Sequence, residues 1–175
     1  LLRPIIIGGG QQDNLRSGTV PVPLCVGFAK AAEIMGKSTD EHERIRELRN
    51  KLWMGLKSQY DFVGLNGPAL NDRHPGNLNV CFEGFDAREL ICVMQPLLAA
   101  SMGSACNSGI SEPSYVLREL GLTYQQAQSS IRFSMGRFTT SDQIDEALEI
   151  IDEALDSASK LGAHGIFPQK EYCDI

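Results

Sequence analysis

Residues 130–155, SIRFSMGRFTTSDQIDEALEIIDEAL, change period midway, and that change decides the fold class. Over Ser130-Ile131-Arg132-Phe133-Ser134-Met135 apolar and polar side chains alternate, as they do on a half-buried strand. Past Gly136 the repeat lengthens, and Ile144, Leu148, Ile151 and Leu155 fall at i, i+4, i+7 and i+11 on one stripe of a helix. Thr140 and Gln143 stand just ahead of that stripe as a capping box. A strand that feeds an amphipathic helix through a short turn has one apolar face on each element, and the two faces bury each other.

The same signals recur on the N-terminal side of this stretch. Ser38 and Glu41 form a second capping box ahead of Ile45, Leu48, Leu52 and Leu56 at helical spacing. Phe62 to Leu65 and the alternating Leu78, Val80 and Phe82 read as strands around a loop from Gly67 to Gly76. Ala87 to Met94 reads as helix, and Pro113 opens another through Tyr115, Leu117 and Leu120 that Gly121 ends. Nearer the start, Ile5-Ile6-Ile7 is expected to be a short buried strand ending in the Gly8-Gly9-Gly10 turn. A helix is expected from Val22 through Ala29, Ala32 and Met35, with Pro21 and Pro23 in its first turn and Gly36 closing it. Strands alternating with helices, without internal repeats, predict an α/β fold, an α+β sandwich.

Composition narrows the function classes. With 42% hydrophobic and 22% charged residues over 175 positions, the chain has the makeup of one soluble domain rather than of a fibrous or disordered segment. A net charge of -6 gives no field to draw in nucleic acid or an anionic membrane surface, so neither is expected as a partner. The expected location is a reducing cytoplasm, because five cysteines are an odd count without CxxC spacing. No metal is expected, since His42, His74 and His164 lie far in sequence from any cysteine pair. The chain opens on Leu1 and a β-branched run instead of Met, and is therefore expected to be a piece of something longer.

Chemistry concentrates at a few positions. Cys106 sits among Ser, Ala, Asn and Gly in an aperiodic stretch between Ala99 and Pro113, where neither packing nor a bridge accounts for it; it reads as a reactive thiol or as an incidental loop cysteine. Cys25, Cys81 and Cys92 lie inside apolar helix or strand patterns and are expected in the core. Arg132, mid-strand, either points to solvent or offers a planar fork to a carboxylate. Gly8-Gly9-Gly10 and Arg16-Ser17-Gly18-Thr19 are turns able to present backbone N–H groups and a hydroxyl to an anion, or plain turns.

Taken together and in order, Gly8-Gly9-Gly10-Gln11 with Arg16-Ser17-Gly18-Thr19, Gly103-Ser104-Ala105-Cys106, Glu112-Pro113-Ser114-Tyr115-Val116-Leu117-Arg118, Ser129-Ser130-Ile131-Arg132-Phe133-Ser134 and Gly136-Arg137-Phe138-Thr139-Thr140 resemble the C-terminal half of the cysteine desulfurases, the NifS and IscS group in particular. The resemblance runs from about residue 5 to about residue 161. It implies the aspartate-aminotransferase (fold type I) architecture of pyridoxal-phosphate enzymes, a homo-oligomer, and a reaction that takes sulfur from L-cysteine and leaves L-alanine. By position it makes Cys106 the thiol that holds the sulfur as a persulfide on a mobile loop, Arg132 the partner of the substrate carboxylate, and Thr19 a ligand of the cofactor phosphate. It divides the chain into residues 1–37, an edge strand, turn and connector helix of the cofactor domain; 38–161, the small C-terminal domain; and 162–175, a tail.

The family's Schiff-base lysine follows a histidine, and none of Lys30, Lys37, Lys51, Lys57, Lys160 and Lys170 does. The chain alone is therefore expected to bind no cofactor and to be inactive without an N-terminal pyridoxal-phosphate-binding half or a full-length partner subunit. A sulfur acceptor such as an iron–sulfur scaffold would be the further partner. The alternative is a stand-alone persulfide carrier or a non-catalytic remnant.

Overall fold

The computed structural model describes residues 3–37, 39–102 and 113–160, and the chain divides into two compact units, Leu1–Thr39 and Asp40–Ile175.

In the first unit, residues 3–20 are turns and bends and α1 spans Val22–Gly36. Pro23 occupies the first turn of α1, where a missing N–H costs nothing, and Lys37 N caps its end on the Ile34 and Met35 carbonyls. The buried strand expected at Ile5-Ile6-Ile7 is not formed: Ile5 and Ile7 are at least nine-tenths exposed, and none of the three joins a ladder among the described residues. A strand is held by a neighbour's N–H and C=O groups, and here a single bond from Ser17 N to Ile6 O, 3.2 Å, folds the segment into a turn instead. Gln12, Asp13 and Asn14 take left-handed backbone angles in that turn, closed by Asn14 N to Gln11 O and Leu15 N to Gln12 O. The core expectation for Cys25 also fails; it is exposed, as is every residue of α1, whose apolar residues lie on all sides and mark out no single inward face.

The second unit is a four-stranded antiparallel sheet with its core on one face. Its elements are α2 (Thr39–Gln59), β1 (Val63–Leu65), a 3-10 turn at Leu70–Asp72, β2 (Asn77–Phe82), α3 (Ala87–Met94), β3 (Ser101–Met102), α4 (Tyr115–Glu119), α5 (Tyr124–Gln128), β4 (Ser130–Ser134) and α6 (Ser141–Lys160). The strand order is β1-β2-β4-β3. Leu78, Val80 and Phe82 of β2 and Ile131 and Phe133 of β4 point into the core. There they meet Ile45, Leu48, Leu52 and Leu56 of α2, Leu90 and Met94 of α3, and Ile144, Ile151 and Leu155 of α6. Leu148, expected on the same stripe, is only half-buried. The Thr140–Gln143 box forms reciprocally, with Gln143 N donating to Thr140 Oγ1 at 3.2 Å and Thr140 N to Gln143 Oε1 at 3.1 Å. Ser38 of the other expected box lies outside the described residues.

Cys92 departs from expectation. On α3 the buried residues are Ala87, Leu90 and Met94, at i, i+3 and i+7, and Cys92 sits on the outer side of the same helix and is exposed. One helix went unread: α5 carries a Thr123–Gln126 capping box in the sequence itself, but its five residues are too few to display a hydrophobic period.

Two arginines set the loop between β1 and β2. Arg49, on the inner side of α2 and fully buried, donates from Nη2 to Leu70 O at 2.8 Å, from Nη1 to His74 O at 3.4 Å and from Nε to Asn50 Oδ1 at 3.0 Å. Burial, with Arg73 and Arg46 nearby, makes its charge harder to hold than an ordinary guanidinium's, so these carbonyls stand in for water. Arg73 donates to Pro68 O and, at 2.8 Å, to Asn66 O. The loop closes at Gly76, whose carbonyl accepts from Met135 N at 2.8 Å; a Cβ there would stand 2.2 Å from Met135 O, so only glycine fits.

Candidate functional site

The alternation that buries Leu78, Val80, Ile131 and Phe133 sends their neighbours to the opposite side of the sheet. On that side the register pairs Asn79 of β2 with Arg132 of β4, and Arg132 in turn with Ser101 of β3. Residues directly opposite in an antiparallel pair share a face with Cβ atoms about 5 Å apart. Asn79, Arg132 and Ser101 therefore form one polar row across three strands, all three half-buried. Arg132, which sequence left between solvent and a carboxylate, stands in the middle of this row, and its guanidinium makes no hydrogen bond or ion pair among the described residues.

A hydrogen-bond chain backs the row from the β1 side. Asn66, buried just beyond β1, donates from Nδ2 to Asn79 Oδ1 at 2.7 Å and to Ser130 Oγ at 2.8 Å. Ser130 Oγ donates onward to Gln126 O of α5 at 2.6 Å. Asn66 is held on both sides of its own peptide, its N–H on Asn79 O at 3.0 Å and its C=O on Arg73 Nη2. Sequence reading missed Asn66, Asn79 and Ser130. Their only signal was position, polar residues alternating with core residues in strands, which does not separate a built network from a solvated face.

Cys81 lies on the same sheet face. Burial, then the neighbouring Glu83, pushes its thiol up to about 11 against a smaller opposing pull from a hydrogen bond with Ser130. It is a protonated packing group at neutral pH and not a nucleophile. Beside it a cavity of ≈ 270 Å³ opens between β1, β2 and the α4–α5 turn, lined by Asn66, Cys81, Glu83, Leu122 and Gln126 among others.

The other sequence-derived positions fall elsewhere. Thr19 lies in the first unit, exposed, directly after Gly18, whose φ of +93° makes the turn a glycine position. Arg16 Nη1 closes the turn on Ser17 O and Gly18 O, leaving the Thr19 hydroxyl without a hydrogen-bond partner among the described residues. Cys106 lies outside the described residues. Each described lysine sits on a helix or, for Lys37, at its end, and is already engaged: Lys30 and Lys37 with Glu33, Lys51 with Asp145 and Ser141, Lys57 with the Asp61 and Val63 carbonyls, Lys160 with Asp156. No helix among the described residues is long and apolar enough to cross a membrane.

Comparison with known proteins places this geometry. Residues 8–147 match the family model for class-V aminotransferases. The chain is 46% identical over 149 residues to the cysteine desulfurase IscS of Shewanella piezotolerans, an alignment covering 85% of this chain and 36% of that protein. It is 44% identical over 155 residues to the IscS of Shewanella sp. strain W3-18-1, covering 88% of this chain and 38% of that one. The chain thus spans well under half the length of these curated relatives. Among solved structures, a NifS-like protein from Rickettsia africae superposes with a TM-score of 0.74 at 29% identity, over 89% of this chain and 41% of that one. A second NifS-like protein gives 0.76 at 31% identity, over 89% and 39%. The chain belongs to the class-V aminotransferase family, and within it is similar to the IscS and NifS cysteine desulfurases.

Proposed function

We propose that this chain is the C-terminal portion of a cysteine desulfurase, acting with a cofactor-bearing N-terminal part to take sulfur from L-cysteine and leave L-alanine. The observation that carries the reading is Arg132: a half-buried guanidinium, unengaged by any described residue, at the centre of a polar row in a chain 46% identical to an IscS. A planar cation in that setting suits a carboxylate, which it grips with two parallel N–H bonds. Ser101 is its cross-strand neighbour, and Cys106 follows Met102 by four residues, a tether of at most ~14 Å. The reading therefore has the thiol within reach of a substrate anchored at Arg132.

The residues present fit one edge of pyridoxal phosphate. An exposed Thr19 hydroxyl in a glycine turn suits its phosphate, while the described lysines, all engaged on helices or at a helix end, do not suit covalent attachment. When bound, the cofactor supplies the electron withdrawal that weakens the substrate's C–S bond. Arg132 orients L-cysteine by its carboxylate. The Cys106 thiolate attacks the substrate sulfur; an S–S bond forms, the C–S bond breaks, and its electron pair stays on the carbon that takes a proton to become the methyl of alanine. The persulfide then passes to an acceptor, for iron–sulfur assembly or thiolation.

Residues 1–37 on this reading belong to the cofactor domain's edge and connector, 38–161 to the small domain and 162–175 to a tail, and the complete enzyme is a cytoplasmic homo-oligomer. The all-round apolar surface of α1, with Leu24, Val26 and Phe28 exposed, supports burial of that helix in the larger assembly.

The test combines this chain with a pyridoxal-phosphate-bearing N-terminal half, L-cysteine and a thiol reductant. Alanine and sulfide are expected in equal amounts from the pair and none from the chain alone, which is expected to be colourless. Activity that survives Cys106→Ala would remove the persulfide step from the proposal.

A further inference from the structure

We propose that Asn79 is a second ligand of the carboxylate bound by Arg132, and that Asn66 is the positioning residue that turns its amide toward it. The inference rests on the reading of Arg132 as a carboxylate site and adds to it the group that sets orientation within that site.

Hydrogen-bond direction fixes which end of the Asn79 amide is free. Ser130 Oγ has one hydrogen, directed at Gln126 O at 2.6 Å with the Cys81 thiol drawing on the same hydrogen, so none is left for Asn66 and toward it Ser130 acts only as acceptor. Asn66 must then present its amide nitrogen, and that Nδ2 donates both to Ser130 Oγ and to Asn79 Oδ1. With its oxygen occupied, Asn79 has its own amide nitrogen left over, and no described residue accepts from it. The chain Gln126, Ser130, Asn66, Asn79 thus fixes which end of the Asn79 amide is free, and it is the donating end. Asn79 is the direct register partner of Arg132 on the polar face. An anion seated on the guanidinium therefore meets a fixed N–H donor on the β2 side. A buried asparagine with both amide hydrogens committed, whose peptide is clamped by Arg73 and by Asn79 O, is more than a solvated surface position requires.

The arrangement discriminates by charge and shape. A carboxylate has two oxygens with lone pairs enough for the Arg132 fork and an added N–H, whereas an amine or an uncharged carbon end offers nothing to either group.

The experiment uses the holoenzyme containing this chain, with Asn79→Asp, Asn79→Ala and Arg132→Lys compared for L-cysteine turnover and for inhibition by cysteamine, which is cysteine without its carboxylate. Asn79→Ala removes the free donor without adding charge and is expected to raise the KM for L-cysteine about tenfold; Asn79→Asp keeps the oxygen that Asn66 holds but sets a negative oxygen in place of the donor, and is expected to raise it further, up to about a hundredfold. With kcat within about threefold of wild type, the loss is one of binding common to ground and transition states. Cysteamine inhibition is expected to be unchanged. Asn79→Ala gives the same split in smaller measure and carries the test where Asn79→Asp does not fold. An unchanged KM in Asn79→Ala, whatever Asn79→Asp shows, or a loss of cysteamine affinity in Asn79→Ala equal to the loss for L-cysteine, overturns the assignment of Asn79. If Arg132→Lys also leaves the KM unmoved, the carboxylate reading itself falls; if only Arg132→Lys raises it, the reading stands and Asn79 is released from the site.

Discussion

Helices α1 and α6 invert the usual association of apolar content with burial. Nearly every residue of α1 is apolar or small, and none is buried; α6 has eight acidic or basic residues among its twenty and buries Ile144, Ala147, Ile151, Ala154, Leu155 and Ala158. The difference is arrangement. In α6 the apolar residues return at helical spacing and face a sheet whose inner side is apolar at strand spacing, so two matched surfaces close on each other. In α1 they surround the axis, and no single face is specified. Burial in this protein follows period and not composition.

That contrast can be broken most sharply by truncating one leucine in each helix region. Leu56→Ala removes a side chain with no exposed surface from the core of the second unit and should destabilise it by about 2–5 kcal/mol, whereas Leu24→Ala in α1 should stay within about 0.5 kcal/mol of wild type in denaturant unfolding. Equal effects would mean that α1 is packed as firmly as α2. Next in size is Arg49→Leu, which strands the Leu70 and His74 carbonyls; a loss of about 1–3 kcal/mol is expected, with faster amide exchange between β1 and β2 as the local signature. Thr140→Ala removes the hydroxyl that caps α6 and should cost about 1 kcal/mol, whereas Thr140→Ser should restore most of it.

The smallest effect separates exposed from buried thiols by reactivity. At pH 8, iodoacetamide should label the exposed Cys25 and Cys92 well before Cys81, read by peptide mass spectrometry. The sign for stability follows from the same shift. The folded thiol holds its proton up to about 11 while the unfolded one loses it near 9.0, so between those values the folded state binds the extra proton and stability falls as pH rises. A Cys81→Ala variant should lose that alkaline decline and leave the rest of the pH profile in place.

Much of the fold was legible because its signals are local. The Thr140–Gln143 box, the stripes of α2 and α6 and the alternation of β2 and β4 each follow from spacings within about fifteen residues, and each formed. Expectations failed where a partner element decides. Ile5-Ile6-Ile7 has strand composition, but a strand exists only against a neighbour, and Ser17 supplied a turn instead. Cys92 has core chemistry but the wrong angular position on α3, and Cys25 sits on a helix with no buried face at all.

The candidate positions in each unit divide the same way. Arg132 was visible in sequence as a cation in an alternating strand, and Thr19 as a hydroxyl after a glycine; both readings needed nothing beyond neighbouring residues. The row that gives Arg132 its setting joins residues 79, 101 and 132, and the network behind it joins 66, 79, 126 and 130. Sequence alone determined which residues face away from the core, since side chains of a strand alternate by necessity. Only the tertiary structure decided which of them stand side by side, because strand order and register depend on how distant segments pair, and the direction of the Asn79 amide depends on a hydrogen bond that those pairings create.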